Sequence, residues 1–314
     1  MTASPATETP PSDRRRRPGR SGRLTARDLQ GALYASPTLV FVLFLFVVPL
    51  GLVLYMSTNK WSLLGGKQGS NFPANFQQAL EHPMFWPAVS FTVKYTVIAT
   101  VLLIGLGLCL ALLVQESSRW KGFLRTTVLV PSALGLASAS LIFYALYSPQ
   151  VGPVPRWMQA LGVTDAVVSP LGTPDGALWA TVFLIVWRFA GFYMLLLLVG
   201  LQAISRDVYE AARIDGAGTL AIFRRITLPL LRPSLALSTV MCVTGSLLAF
   251  DQFFILTKGG PDGSTMTIVQ LIYNVAFETK RDLGLAAALS VIVLVALVVI
   301  NVFQLRVLRG SDEK

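Results

Sequence analysis

The sequence predicts an all-α polytopic membrane protein with six transmembrane helices and both termini on the cytoplasmic side. Three observations lead there. Of the 314 residues, 54% are hydrophobic and only 13% are charged, where a soluble chain carries about 25% charged residues. Apolar runs recur along the chain, each long enough to cross a roughly 30 Å hydrocarbon core. The basic residues are shared unevenly among the segments joining these runs, and cytoplasmic loops are the ones that collect Lys and Arg.

The chain opens with "MTASPATETPPSDRRRRPGRSGR", rich in Pro, Ser, Thr and Arg. Residues 1–30 are therefore expected to be a disordered basic tail with no means of forming a core. A signal peptide is excluded, because the first apolar run is too long for an h-region and no small-residue cleavage site follows it. Residues 31–314 form the membrane domain, with spans at about 33–57, 90–115, 124–148, 177–203, 233–257 and 284–306. With the N-terminus inside, 18 Lys and Arg are cytoplasmic and seven are outside, while Arg188 falls within a span. The net charge of +10 thus reflects topology, and no nucleic-acid partner is needed to explain it. Cys109 and Cys242 lie inside apolar runs and read as small buried hydrophobes, not as a disulfide or metal ligands.

Between the fourth and fifth spans stands a polar, basic segment, 205–232, far longer than a turn between membrane helices needs. Ser205 is placed to N-cap "RDVYEAARIDG", with Asp207 in the first turn, where the helix dipole favours negative charge. Ala211 and Ala212 keep one surface small, and Gly216 can close the helix in a left-handed conformation. A second short helix is expected from Thr219 or Leu220, with Pro229 and Pro233 breaking the backbone as the next span begins. Two roles suit such a helical hairpin. It can dock in a groove of another protein, or it can lie on the lipid surface with Arg213, Arg224 and Arg225 binding headgroups.

A resemblance decides between them. Glu210-Ala211-Ala212, three residues, Gly216, nine residues, then Ile226-x-Leu228-Pro229 matches without a gap the EAA signature of permease subunits of binding-protein-dependent ABC importers. "GFLRTTVLVPSALG" (122–135), "TKGGPDGSTMTIVQLIYNVAF" (257–277) and "LGLAAALSVIVLVALVVINVFQLR" (283–306) resemble the carbohydrate-uptake branch, the relatives of the maltose and glycerol-3-phosphate permeases. The resemblance implies the type I permease fold of ABC importers in a bacterial plasma (inner) membrane. It implies three protein partners, namely a second homologous permease, a dimer of ABC ATPase subunits and an extracytoplasmic solute-binding protein. The solute would be a sugar-type small molecule. Carried over, Glu210, Ala211, Ala212 and Gly216, with Tyr209 and Arg213 beside them, form the coupling element that sits in a cleft of the ATPase. Nothing in the chain matches G-x4-G-K-[ST], and "GGKQGS" (65–70) has the wrong spacing for a phosphate-binding loop. No catalytic residue, metal site or cofactor is expected here, and ATP and Mg belong to the partner ATPase.

In relatives of known structure, sugar contacts come from the helix around the matching Trp and from the helix leading to Gly-Gly-Pro. The matching positions are Ile185, Arg188, Phe189 and Phe192 on the fourth span and Cys242, Gly245, Ser246 and Ala249 on the fifth. Each set has the i, i+3, i+4, i+7 spacing of one helix face. Polar amides line the site in the maltose relative, whereas the polar groups here are Arg188, Ser246 and Cys242. Either the partner permease supplies most hydrogen bonds, or the solute is anionic and Arg188 meets it. Close helix packing is the plainer explanation of the small residues on the fifth span. Asp251, nearer the outer end of that span, is a candidate gate residue, cation partner or solute contact. Tyr273 and Asn274 lie in an amphipathic outer segment suited to closing that side or meeting the binding protein, and Lys94 is expected to snorkel to the interface.

Two other classes remain as alternatives. An ion-coupled secondary transporter needs intramembrane carboxylates, and apart from Asp251 the spans hold almost none. A membrane anchor or assembly protein without transport would have no use for the paired faces on spans four and five.

Overall fold

The computed structural model describes residues 26–116 and 118–309. Residues 1–25 of the expected tail, with Arg14–Arg17, Arg20 and Arg23, lie outside the described residues, as does Lys314. Helix Ala26–Val42 begins inside the segment expected to be disordered, so residues 26–30 belong to structure and not to the tail. The described residues fall into two compact units that divide between Gly51 and Leu52. The first holds that helix and the π-helical turn Leu43–Val47, after which the helix resumes as Val48–Ser57. Together these give a first apolar segment, Leu33–Ser57, of spanning length.

In the second unit, four further helices are long and apolar enough to cross a membrane: Phe85–Val114, Pro174–Gln202, Arg232–Leu256 and Leu283–Arg306. They are the second, fourth, fifth and sixth spans, and each lies within a few residues of its expected place. The fourth starts where it does because Pro174 is a ready first residue and the Thr173 hydroxyl accepts from the Gly176 N–H at 3.2 Å. Asp175 adds a negative charge to the same turn, which the helix dipole favours.

The third span departs from expectation. Instead of one helix over 124–148 there are two pieces, Arg119–Ala133 and Leu136–Tyr147, bent by 93°. Pro131 has no N–H for the helical ladder, so the first piece tightens into a 3₁₀ turn, Val130–Ala133. Leu134 and Gly135 then run extended before the helix restarts. The fifth span is also interrupted, with helix Arg232–Leu247 separated from Asp251–Leu256 by a non-helical stretch at 248–250.

Packing is tightest between spans two and four. A Cβ placed on Gly107 would lie 3.1 Å from the Tyr193 Cβ and 3.2 Å from the Met194 nitrogen. One placed on Gly191 would lie 2.8 Å from the Leu129 Cα, on the backbone of the bent third span. Small residues at such crossings let backbones meet where lipid offers no hydrophobic drive. Spans five and six are joined by the Thr244 hydroxyl, which donates to Asn301 Oδ1 at 3.0 Å.

At the end of the bundle where the second span begins, a hairpin pairs β1 (Asn59–Ser62) with β2 (Gly66–Ser70), followed by helix Ala74–Leu80. The buried Asn75 amide donates to the Ser57 and Asn59 carbonyls, each at 2.9 Å, and so fastens this hairpin to the helix before it. Helix Ile268–Tyr273 and its π-helical continuation Asn274–Glu278 pack into the same end through Ile268, Leu271 and Val275, against Leu285 and Leu289 of the sixth span.

Gly191→Ala is expected to destabilise the chain by about 1–3 kcal/mol, the range for overpacking a close contact. Gly105→Ala, whose added methyl meets nothing within 4 Å, should leave stability unchanged. Thermal unfolding of the detergent-solubilised pair of variants measures both.

Candidate functional site

The segment between spans four and five folds as its caps dictate. Helix Arg206–Ile214 starts at Ser205, whose hydroxyl accepts from the Asp207 N–H at 3.3 Å. It ends in a Schellman motif: the Gly216 N–H reaches the Arg213 carbonyl at 3.1 Å and the Ala217 N–H reaches the Ala212 carbonyl at 2.9 Å. Gly216 has φ of +78°, the left-handed conformation that glycine adopts without cost. A second helix, Thr219–Ile222, runs through the π-helical turn Phe223–Thr227 into Leu228–Leu230.

The six residues expected to form the coupling element divide by environment. Glu210, Ala211, Arg213 and Gly216 are exposed, while Ala212 is buried and Tyr209 is half-buried. Tyr209 holds the two arms together, its hydroxyl oxygen accepting from Thr227 Oγ1 at 3.3 Å. Ile214, 86% exposed, and Leu220, 67% exposed, stand at the tip of the hairpin. Beside them opens a cavity of about 1150 Å³, lined on one side by Arg206, Tyr209, Glu210 and Arg213 and on the other by Gln115, Glu116 and Arg125. Arg125 caps the second span, donating Nε and Nη2 to the Val114 carbonyl at 3.2 and 2.6 Å. Lys121 bonds Glu116 at 2.5 Å, and that ammonium, with Arg213 farther off, holds the carboxyl below the usual carboxylate range.

The two faces expected to line a solute path do meet. Ile185, Cys242 and Ala249 are buried in one apolar cluster with Tyr95 of the second span and Phe253, and Phe189 and Phe192 pack against it. These positions are filled by close packing in this conformation, Cys242 being 1% exposed. Ser246 is buried as well, whereas Gly245 is exposed.

Arg188 is held differently. Its Nε donates to the Leu134 carbonyl at 2.9 Å, and its own carbonyl accepts from Ser132 Oγ at 2.7 Å. Its guanidinium lies over the Phe189 ring at 4.2 Å. Both bonds tie the fourth span to the bend of the third. Asp251 is exposed in the first turn of Asp251–Leu256 and has no ion-pair partner among the described residues. Lys94 pairs with Asp175 at 3.8 Å, a contact of little energetic weight at an exposed site. Tyr273 joins Phe250, Phe254 and Phe277 in an aromatic group beside the interruption of the fifth span, and Asn274 opens the π-helical turn.

Residues 103–311 match the family of binding-protein-dependent transport system inner membrane components. The chain belongs to this family. A trehalose/maltose transport system permease protein from Thermococcus litoralis is 33% identical, over 88% of this chain and 92% of the relative. A sulfoquinovosyl glycerol transport system permease protein from Agrobacterium fabrum is 32% identical, over 90% and 92%. Among solved structures, a chain of a bacterial alginate ABC transporter shares the fold with a TM-score of 0.77 at 22% identity, over 88% of this chain and 93% of that one. The protein is a multi-pass permease of the inner membrane, and its architecture is that of ABC importer permeases.

One polar residue of this permease escaped sequence reading. Gln252, 2% exposed, follows the interruption of the fifth span, and its Nε2 donates to the Tyr95 hydroxyl at 3.3 Å. Its Oε1 has no partner among the described residues. The signal in the sequence is an amide inside an apolar run, next to Asp251.

Arg125→Ala strips the Val114 carbonyl of its charged donor, a bond type contributing about 1.5–3 kcal/mol. Hydrogen exchange at residues 112–116 should then speed up about tenfold or more, while exchange in helix Arg206–Ile214 stays as it was.

Proposed function

We propose that this permease is the translocation subunit of an ABC importer that moves a sugar or sugar derivative into the cell. It takes its drive from a separate ATPase dimer through the hairpin 205–232. The observation that carries the reading is the exposed, Schellman-closed helix Arg206–Ile214, with the Glu210-Ala211-Ala212 signature and the uncovered Ile214 at its tip. Ile214 and Leu220, both exposed at the tip of a basic hairpin, are accounted for by a protein groove that covers them. Both termini are placed in the cytoplasm, as the 18-to-seven division of basic residues favours. Sugar as the solute class is supported by the cargoes named for the relatives.

In this reading the remaining partners are a second permease, which completes the path, and a solute-binding protein on the outer side. ATP and Mg bind to the ATPase. Nucleotide moves the membrane subunit only if the ATPase docks differently in its open and closed states. Helix Arg206–Ile214 is where that difference is delivered, and spans four and five leave from the two arms of its hairpin.

Gly216 offers a clean test, because nothing of this chain lies within 4 Å of an added Cβ. Gly216→Ala incurs left-handed strain of about 1–2 kcal/mol and Gly216→Asp no more than that, since Asp tolerates this conformation better, but only Asp adds bulk and charge to the docking turn. The tagged chain, purified from gently solubilised membranes, should bring an ATPase and a second permease with it. Gly216→Ala should retain both, and Gly216→Asp should keep the permease and lose the ATPase. Absence of an ATPase from the wild-type preparation overturns the reading.

A further inference from the structure

Arg188 stands 14 residues from either end of the 29-residue fourth span, about 21 Å from each at 1.5 Å per residue. It is therefore at mid-depth of the membrane, where a guanidinium is costly and persists only with partners or a watered path. Its protein partners meet only part of that need. Of the three guanidinium nitrogens, Nε alone finds an acceptor among the described residues, the Leu134 carbonyl. The two terminal nitrogens carry four N–H groups with none. No carboxylate pairs with them, since the two ion pairs of the described residues are Lys94–Asp175 and Lys121–Glu116. The side chain is half-buried, so it is not sealed in the core.

The guanidinium is also ordered in advance. Leu134 fixes one edge, and the Phe189 ring supports its face at 4.2 Å. What remains is a planar fork of N–H donors, the arrangement that matches the two oxygens of a carboxylate, sulfonate or phosphate. Because the Nε bond holds the fork in place, a ligand that engages the terminal nitrogens loses little side-chain freedom in doing so.

We infer that the solute is an anionic saccharide, a sugar acid or a sugar carrying sulfonate or phosphate, and that the terminal nitrogens of Arg188 receive its charge at mid-membrane. This rests on the importer reading above and specifies its substrate class. A neutral sugar offers the fork hydroxyl oxygens as acceptors but no charge to balance it at the deepest point of its route. The same fork facing a carboxylate of the second permease is the competing arrangement, and a fixed ion pair there would have no reason to select an anionic solute.

The test is uptake by cells that make the whole transporter, given labelled uronic-acid oligosaccharides, sugar sulfonates and sugar phosphates beside neutral maltose, trehalose and lactose. The inference predicts accumulation of at least one anionic saccharide and not of its neutral counterpart. Arg188→Gln should raise the KM for that solute about tenfold or more, and Arg188→Lys by less. Ser132→Ala, which loosens the same bend without touching the charge, should change the rate but not the preference for the anion. Import of a neutral sugar with the same KM in wild type and Arg188→Gln overturns the anion inference and leaves the importer reading standing. Rescue of Arg188→Gln by neutralising a carboxylate of the second permease also overturns it, in favour of an ion pair between subunits. If no saccharide accumulates in wild type although the ATPase co-purifies, both the anion and the sugar assignments fall.

Discussion

A backbone carbonyl left without a partner in hydrocarbon costs several kcal/mol, and this permease breaks two of its spans inside the membrane. The whole arrangement depends on how those breaks are satisfied. At the 93° bend of the third span, the carbonyl of Leu134 is taken by Arg188 Nε, and Ser132 bonds the Arg188 carbonyl in return. These two contacts fix the fourth span against the bend. Gly191 then allows the helix to lie on the backbone of the third span. At the second break, residues 248–250, Gln252 reaches across to Tyr95 on the second span. Span four is thus locked to span three, and span five to span two, at the irregular points.

That geometry gives the hairpin 205–232 its leverage. The fourth span ends at Gln202 and helix Arg206–Ile214 begins four residues later. On the other arm Leu228–Leu230 leads directly into the fifth span at Arg232. Leu201 and Leu231 are buried together with Val114 of the second span, so the roots of both arms share one apolar cluster. Under the proposed coupling, a displacement of the hairpin would move spans four and five as a pair. The interruptions beside Arg188 and Gln252 are the points where such a movement can be absorbed, because a non-helical stretch yields more readily than a helix.

Much of this was legible in the sequence, for local reasons. The Ser205 cap and the Gly216 turn are statements about neighbouring residues, and the structure follows them closely. Family membership weighs against the ion-coupled and non-transporting alternatives. The bend of the third span was not legible: Pro131 alone is tolerated in many membrane helices, and the partner that stabilises the kink lies 54 residues away. The β1–β2 hairpin was missed because its strands are short and polar, and its anchor, Asn75, acts across 16 and 18 residues. Ile185 of span four shares one apolar cluster with Cys242 and Ala249 of span five, but whether such a face encloses a path or packs shut depends on the conformation. Spacing carries no information on that.

The most direct test of energy coupling through the hairpin is photo-crosslinking from position 211 in intact membranes. Ala211 is exposed on helix Arg206–Ile214, so a photoreactive residue there samples whatever covers it. A covalent adduct with an ATP-binding subunit, altered in yield when non-hydrolysable nucleotide is added, is the expected result. Adducts with lipid alone, with or without nucleotide, would mean that the hairpin rests on the membrane surface and transmits nothing.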